Sequence, residues 1–192
     1  MVVNCGAIIT FMKIRLILAA LLIGGTLQAQ SIYQIQGQAA ASPYLGQAVS
    51  TRGIVTGVHA AGYFIQEESL EWSGIYVFDS VNTPDVGDEI ELTATVEEYF
   101  EFTELKTVTA YTVLSSGNEL PAPILLSTNE VIDEAYESVL VRVQNAICTN
   151  NNLGFGEYQV NDGTGACMGD DLLFPHTLDN GITYNLTGPL YY

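Results

Sequence analysis

Two histidines, three cysteines and 22 acids are the side chains that this 192-residue sequence offers to chemistry. His59 and His176 stand far apart, each among neighbours that supply no partner for proton transfer. Nucleophilic catalysis needs a serine or cysteine beside a base. Serine and threonine are plentiful, yet no Gly-x-Ser-x-Gly elbow occurs, and the base would have to be one of the two histidines. Metal-dependent phosphoester hydrolysis needs converging carboxylates, an asparagine and two histidines around Mg²⁺. Two isolated histidines do not map onto that arrangement. Acids cluster at Glu67-Glu68…Glu71 and at Asp162…Asp170-Asp171. Such oxygens suit Ca²⁺, but neither run has EF-hand spacing, so solvated turns are the expectation. No catalytic residue, resident metal or cofactor is assigned. Ca²⁺ or Mg²⁺ bridging acids to phosphate is the one ion role left open.

The charge is uneven along the chain. From Met12 it reads MKIRLILAALLIGGTLQAQ, with Lys13 and Arg15 before the apolar run Ile14 to Ile23 and with Ala29 before Gln30. That is the layout of a secretory signal peptide. The run is shorter than the roughly 20 residues of a membrane span, and Gly24, Gly25 and Thr26 interrupt it. The expectation is therefore an N-terminal extension and signal peptide over residues 1–29, a start at Met12, and a mature form free of the membrane, extracellular or periplasmic. Without Lys13 and Arg15, only Arg52, Lys106 and Arg142 face 22 acids, a net charge of −19. Such a surface is soluble and repels polyanions. Cys5 leaves with the signal, and Cys148 and Cys167 remain. Two cysteines in an exported chain usually pair, and a bridge closing this loop adds roughly 3 kcal/mol on the chain-entropy estimate. The alternative, a two-thiol metal site, lacks a nearby histidine.

Strands must position whatever binds. In IELTATVE, Ile90, Leu92, Ala94 and Val96 share one face and Glu91, Thr93, Thr95 and Glu97 the other, the period of a half-buried strand. Strands are expected at 48–58, 62–67, 74–79, 89–97 and 104–114, with Gly53 marking a bulge or bend in the first. SSGNELPAPILLS then reads as a linker or extended crossover. Thr128 or Asn129 is positioned to cap one short helical stretch before Glu137. The second half repeats the first: Gly62 and Gly87, like Gly156 and Gly181, lie 25 residues apart. Arg52 and Arg142 fall in similar strands, and three landmarks in one order indicate duplication. The domains are expected at 30–116 and 129–192, joined by 117–128. If YNLTGPLYY corresponds to IELTATVEEYF, nothing remains to pair like strand 104–114. An unpaired edge is an aggregation liability, so Tyr192 is expected to be a truncation point.

Five strands per unit, a bent first strand, a short hairpin between strands two and three, and the Asp162–Gly165 turn of Asp-Gly-Thr-Gly type resemble the OB-fold, a small Greek-key barrel. The expected fold is all-β: two tandem OB-fold-like five-stranded Greek-key barrels, the second lacking its last strand. From IYQIQGQAAASPYLGQAVSTRGIVTGV through GYFIQEE, SGIYVF and VGDEIELTATVEEYFEFTEL, the sequence further resembles the OB modules beside the catalytic domain of secreted bacterial nucleases of the endonuclease/exonuclease/phosphatase type. The resemblance covers residues 31 to about 114 and continues more thinly through YESVLVRV and GEYQVNDGTG. It implies a non-catalytic accessory region that positions nucleic acid, with the catalytic domain C-terminal to Tyr192.

OB-folds that bind single strands stack bases on aromatics of strands two and three, worth about 1–3 kcal/mol per base. With Ile75 and Val77 inward, Tyr76 and Phe78 point outward, joined by Tyr63 or Phe64. Tyr99, Phe100 and Phe102, where the fourth strand turns into the fifth, stand at the rim of such a groove. The competing account packs the strand aromatics against the acidic turn or the second unit, and makes the rim cluster a plug. Single-stranded nucleic acid is the expected partner of the first account, although counterion release needs more Lys and Arg than three. An extracellular module for protein or glycan is the alternative.

Overall fold

The computed structural model describes residues 29–191. The expected signal peptide up to residue 28, with Met12 and Cys5, and the expected truncation point Tyr192 lie outside the described residues. Among the described residues no helix is long and apolar enough to cross a membrane.

The chain is all-β, in two sheets of five strands each. A short helix precedes them, α1 (Ile32–Gln36). Ser31 caps it in a reciprocal box: its hydroxyl accepts from the Gln34 N–H, and the Gln34 side-chain oxygen accepts from the Ser31 N–H. Gly37, with φ 72°, ends it. Five residues are too few to register as helical periodicity, and the sequence reading missed this element. Ile32 and Ile35 join the first core.

The first sheet holds β1 (Ala48–His59), β2 (Gly62–Gln66), β3 (Gly74–Phe78), β4 (Glu89–Tyr99) and β5 (Phe102–Ser115). The expected strands match these to within two residues at each end. β1 pairs with β2 and β4, β2 with β3, and β4 with β5, all antiparallel; β3 pairs with β5 in parallel. The order β1-β2-β3-β5-β4 returns to β1, so the ring of strand pairs closes. Inside it Val55, Tyr63, Ile65, Ile75, Val77, Ile90 and Leu105 are at most 1% exposed. Each contributes about 1.5–3 kcal/mol through burial. The bulge expected at Gly53 instead falls between Val55 and Gly57. Gly53 serves a close approach, since a Cβ there would lie 3.1 Å from backbone atoms of Gln66.

The second sheet holds β6 (Ile124–Leu125), β7 (Leu140–Gly154), β8 (Glu157–Asn161), β9 (Ala166–Gly169) and β10 (Thr183–Pro189), in the order β10-β7-β8-β9 with β6 parallel to the start of β7. β7, β8, β9 and β10 repeat the pairings of β1, β2, β3 and β4. Among the described residues nothing repeats β5. The fifth strand, β6, comes from the segment read as linker. The expected helical stretch is a 3-10 turn, Glu134–Tyr136, capped by Asp133 rather than by Thr128 or Asn129. Thr128 is buried beneath the Asp162 carboxylate.

The two halves register differently from their glycines. Tyr63 and Ile65 face the first core, and Tyr158 and Val160 face the second. Aligning Gly62 with Gly156 sets Tyr63 against Glu157, one residue off, and a one-residue slip exchanges the faces of a strand. Arg52 lies opposite Glu91, whereas Arg142 lies opposite Thr187. Relative to the β4 and β10 pairings, Arg142 takes the place of Ser50.

The disulfide expected between Cys148 and Cys167 is not formed, and both thiols are free and buried. Cys148 lies opposite Val160, and Val160 opposite Cys167, so β8 runs between them. Two strand spacings of about 4.8 Å each separate their backbones, beyond the roughly 7 Å that a disulfide spans.

Candidate functional site

β2 and β3 are short and apolar on both faces, which makes their outer face the natural place to seek a ligand. Tyr63 turns inward with Ile65, Ile75 and Val77, and its hydroxyl donates to Asp79 at 3.3 Å. Phe64 and Tyr76, opposite one another across the β2–β3 pairing, turn outward, and Phe102 at the start of β5 joins them. Their rings lie 5.0 Å (Phe64–Tyr76) and 5.8 Å (Tyr76–Phe102) apart. Tyr191 stands edge-on against all three at 5.2–5.8 Å, and Leu173 packs beside them. His59 stacks on Tyr76, and its Nε2 shares a 2.9 Å hydrogen bond with the tyrosine hydroxyl. Burial pushes the His59 pKa down and the Tyr76 pKa up. Phe64, Tyr76 and Phe102 are at most 3% exposed. The protein's own side chains fill the outer face, and packing wins over stacking at these three positions.

The remaining candidates are open to solvent. Phe78 ends β3 with the Lys106 ammonium 5.2 Å from its ring centroid, and Lys106 also pairs with Glu97 at 3.2 Å. Tyr99 and Phe100 meet edge to face at 4.7 Å on the β4–β5 turn. Tyr99 pairs with Phe102, so Phe100 and Glu101 form a two-residue hairpin turn with φ of 51° and 70°. That turn favours Asn-Gly, and a bulky aromatic there is strained. Phe100 is 86% exposed. Of the seven aromatics, then, Phe78, Tyr99 and Phe100 face water, and they carry one cation among several acids.

The acid clusters accept hydrogen bonds from the protein itself, partly within their own turns and partly from distant segments. Asp162 accepts from the Thr128 hydroxyl (2.7 Å) and N–H (3.1 Å) and from the Thr164 hydroxyl (2.7 Å) and N–H (2.9 Å), bonds that hold its pKa far below the ordinary range. The Asp-Gly-Thr-Gly turn thereby ties the crossover before β7 to the β8–β9 hairpin. Glu67 accepts from the Ile32 N–H, Glu71 from the Tyr136 hydroxyl and Asp170 from the Leu172 N–H. Among the described residues no three His, Cys, Asp or Glu side chains are grouped to hold a metal ion.

Polar residues that sequence reasoning passed over join the two halves. Glu137, 1% exposed, accepts from the Gln36 amide at 3.2 Å and the Thr103 N–H at 3.1 Å through Oε1, while its Oε2 has no partner. Burial first, with Glu134 and Glu98 adding repulsion, lifts its pKa to about 8. Gln66 accepts from the Leu140 N–H at 2.7 Å, and the Trp72 N–H donates to the Ala135 carbonyl. At Gly74 a Cβ would stand 2.2 Å from the Ser138 carbonyl oxygen. Alternation gives no sign of Glu137, which sits in an acidic stretch indistinguishable from a solvated one.

The described residues include two concavities of interest. A shallow one of about 440 Å³ is lined by Tyr33, Trp72, Tyr136 and Glu71 among others. A larger cleft of about 680 Å³ opens into the second core, with Tyr158, Val160, Cys167, Tyr184 and Leu186 in its lining. Burial, with the Asp162 charge adding to it, raises the Cys167 thiol pKa to about 11, which disfavours the thiolate. No protein-family model and no curated protein matches this sequence.

Proposed function

We propose that the chain is a non-catalytic accessory region of an exported, nuclease-type protein, built from OB-type units that position a substrate for a domain on the C-terminal side. The observation that carries this reading is strand order. A ring of β1-β2-β3-β5-β4, with β3 and β5 as its only parallel pair and three of its pairings repeated among β7 to β10, agrees with the plan of an OB barrel followed by a second unit that is open among the described residues. It joins the sequence resemblance over residues 31 to about 114.

A second reading, an extracellular module for protein or glycan, draws on a specific observation. The residues that would stack bases are covered by Tyr191 and Leu173, and only Lys106 stands beside the exposed Phe78. Nucleic acid would then be met by Phe78, Tyr99 and Phe100 alone, with Ca²⁺ or Mg²⁺ offsetting the acids.

Fluorescence anisotropy with a labelled single-stranded oligonucleotide, at low salt with and without Ca²⁺ or Mg²⁺, separates the two. Saturable binding that weakens on Phe100→Ala supports positioning of nucleic acid. Absence of binding in all conditions removes nucleic acid as the ligand and leaves the protein or glycan reading.

A further inference from the structure

Trp72 is the only tryptophan in the sequence, and it stands where a tryptophan is costly. Its φ is 62°, in the left-handed region that bulky side chains avoid. The loop between β2 and β3 that carries it is tied down from several directions. The Ser73 hydroxyl lies 2.6 Å from the Glu68 carbonyl oxygen, and the Gln66 amide donates to that same oxygen at 2.6 Å. Across to the second half, the Trp72 N–H donates to the Ala135 carbonyl at 2.7 Å and the Tyr136 hydroxyl donates to Glu71 at 3.1 Å. Backbone strain held in place by such ties gathers where a side chain is presented to a ligand. Trp72 lines the concavity of about 440 Å³ together with Tyr33 of α1 and Tyr136 of the 3-10 turn. Gln38, with φ 55°, lines it too. Three aromatic side chains from three segments thus border one hollow. Its single charged residue is an acid, Glu71, and the lining holds no lysine, arginine or histidine.

We propose that this hollow binds an organic ammonium cation, through cation–π attraction to Tyr33, Trp72 and Tyr136 and through the charge of Glu71. Indole is the strongest of the neutral aromatic partners for a cation, and alkylated ammonium groups suit such sites because little water must be stripped from them. Among the described residues no lysine or arginine pairs with Glu71, so the carboxylate keeps its charge for a guest. Acids outnumber bases 22 to 5 in the sequence, which draws cations to the surface and repels anions. The hollow shares no residue with the aromatic outer face of β2 and β3. The proposal therefore stands or falls apart from the functional reading above.

The test titrates tetramethylammonium chloride into the full chain, with sodium chloride at equal ionic strength as the blank. Because Trp72 is the one indole, its emission and its single indole N–H signal in NMR report this hollow directly. Both are expected to change saturably, with Kd in the range of about 1–10 mM. Choline is expected to bind comparably, and its neutral isostere 3,3-dimethyl-1-butanol at least about tenfold more weakly. Glu71→Gln and Tyr33→Ala are each expected to weaken binding about threefold to tenfold at low salt. Both residues are exposed, Tyr33 by 43%, so neither change threatens the fold. Tighter binding of N-acetyl-trimethyllysine methylamide than of choline supports the proposal with a protein side chain as the source; the reverse order supports it with a free amine. Failure to saturate below about 100 mM, a hundredfold above the tight end of the expected range, overturns the proposal. Equal binding of the neutral isostere, or binding undiminished by both substitutions, also overturns it. So does a saturable response to a neutral oligosaccharide with none to the cations, in favour of a glycan site.

Discussion

β3 has β5 running along its outer edge, and its counterpart β9 has no neighbour there among the described residues. The consequence is written in the cores. Ile65, Val77 and Leu105 are fully buried, whereas Val143, Tyr158 and Cys167 each keep 6–8% of their surface in contact with solvent. The two halves share strand plan and pairing, and they differ in ring closure. A strand inserted between two edges satisfies two rows of backbone groups and seals the apolar side chains beneath them.

The largest effect is expected from Gly74→Ala. The new Cβ would meet the Ser138 backbone at 2.2–2.4 Å, and neither chain can yield without parting the two sheets. A loss of about 4 kcal/mol or more is expected in denaturant unfolding, with the second sheet melting ahead of the first. A single unshifted transition would show that the halves do not lean on one another at that point.

Next come matched core truncations, followed by thermal or denaturant melts. Leu105→Ala leaves a dry cavity in the closed ring and is expected to cost about 2–5 kcal/mol. Val160→Ala enlarges a cleft that already opens to solvent and is expected to cost about 1–2 kcal/mol. Equal losses per methylene removed would erase the distinction between the two cores.

Glu137 links the halves through a buried carboxyl whose folded-state pKa of about 8 exceeds its ordinary 4.5. The native state therefore holds the proton that the unfolded chain releases, and stability is expected to fall as pH rises from about 4.5 to about 8. Glu137→Gln keeps an oxygen that accepts from Gln36 and Thr103 and removes the charge. It is expected to flatten that fall and to stabilise by about 1–2 kcal/mol at pH 9. An unchanged pH profile would place the proton elsewhere. The smallest effect belongs to the rim: Phe100→Asn with Glu101→Gly relieves the left-handed turn and is expected to stabilise the closed ring by about 0.5–1 kcal/mol, read as a small rise in Tm. A fall would mean that Phe100 plugs the end of the ring.

Much of this was legible in residue order. Ile90, Leu92, Ala94 and Val96 announced β4 by alternation, and the five strands of the first sheet follow from such local signals. The inward face of β3, Ile75 and Val77, was legible too, but which of Tyr63 and Phe64 turns inward on β2 was not, nor was the fate of the outer faces. Phe64 and Tyr76 could meet a ligand or Tyr191, more than 100 residues away, and only tertiary structure decides. Paired glycines pointed to the duplication while misplacing its register by one residue, because Gly156 belongs to the turn before β8 whereas Gly62 opens β2. Cys148 and Cys167 looked like a pair because spacing in sequence says nothing of an intervening strand. β6 escaped notice because two residues beside Pro121 and Pro123 carry no period.

Native-state hydrogen exchange across the whole chain tests the central contrast most directly. The closed-and-open account predicts that core amides of β1 to β5 exchange only on global unfolding, while amides of β9 and β10 exchange at least about tenfold sooner through local opening. Equal protection of β3 and β9, and of β4 and β10, would contradict it.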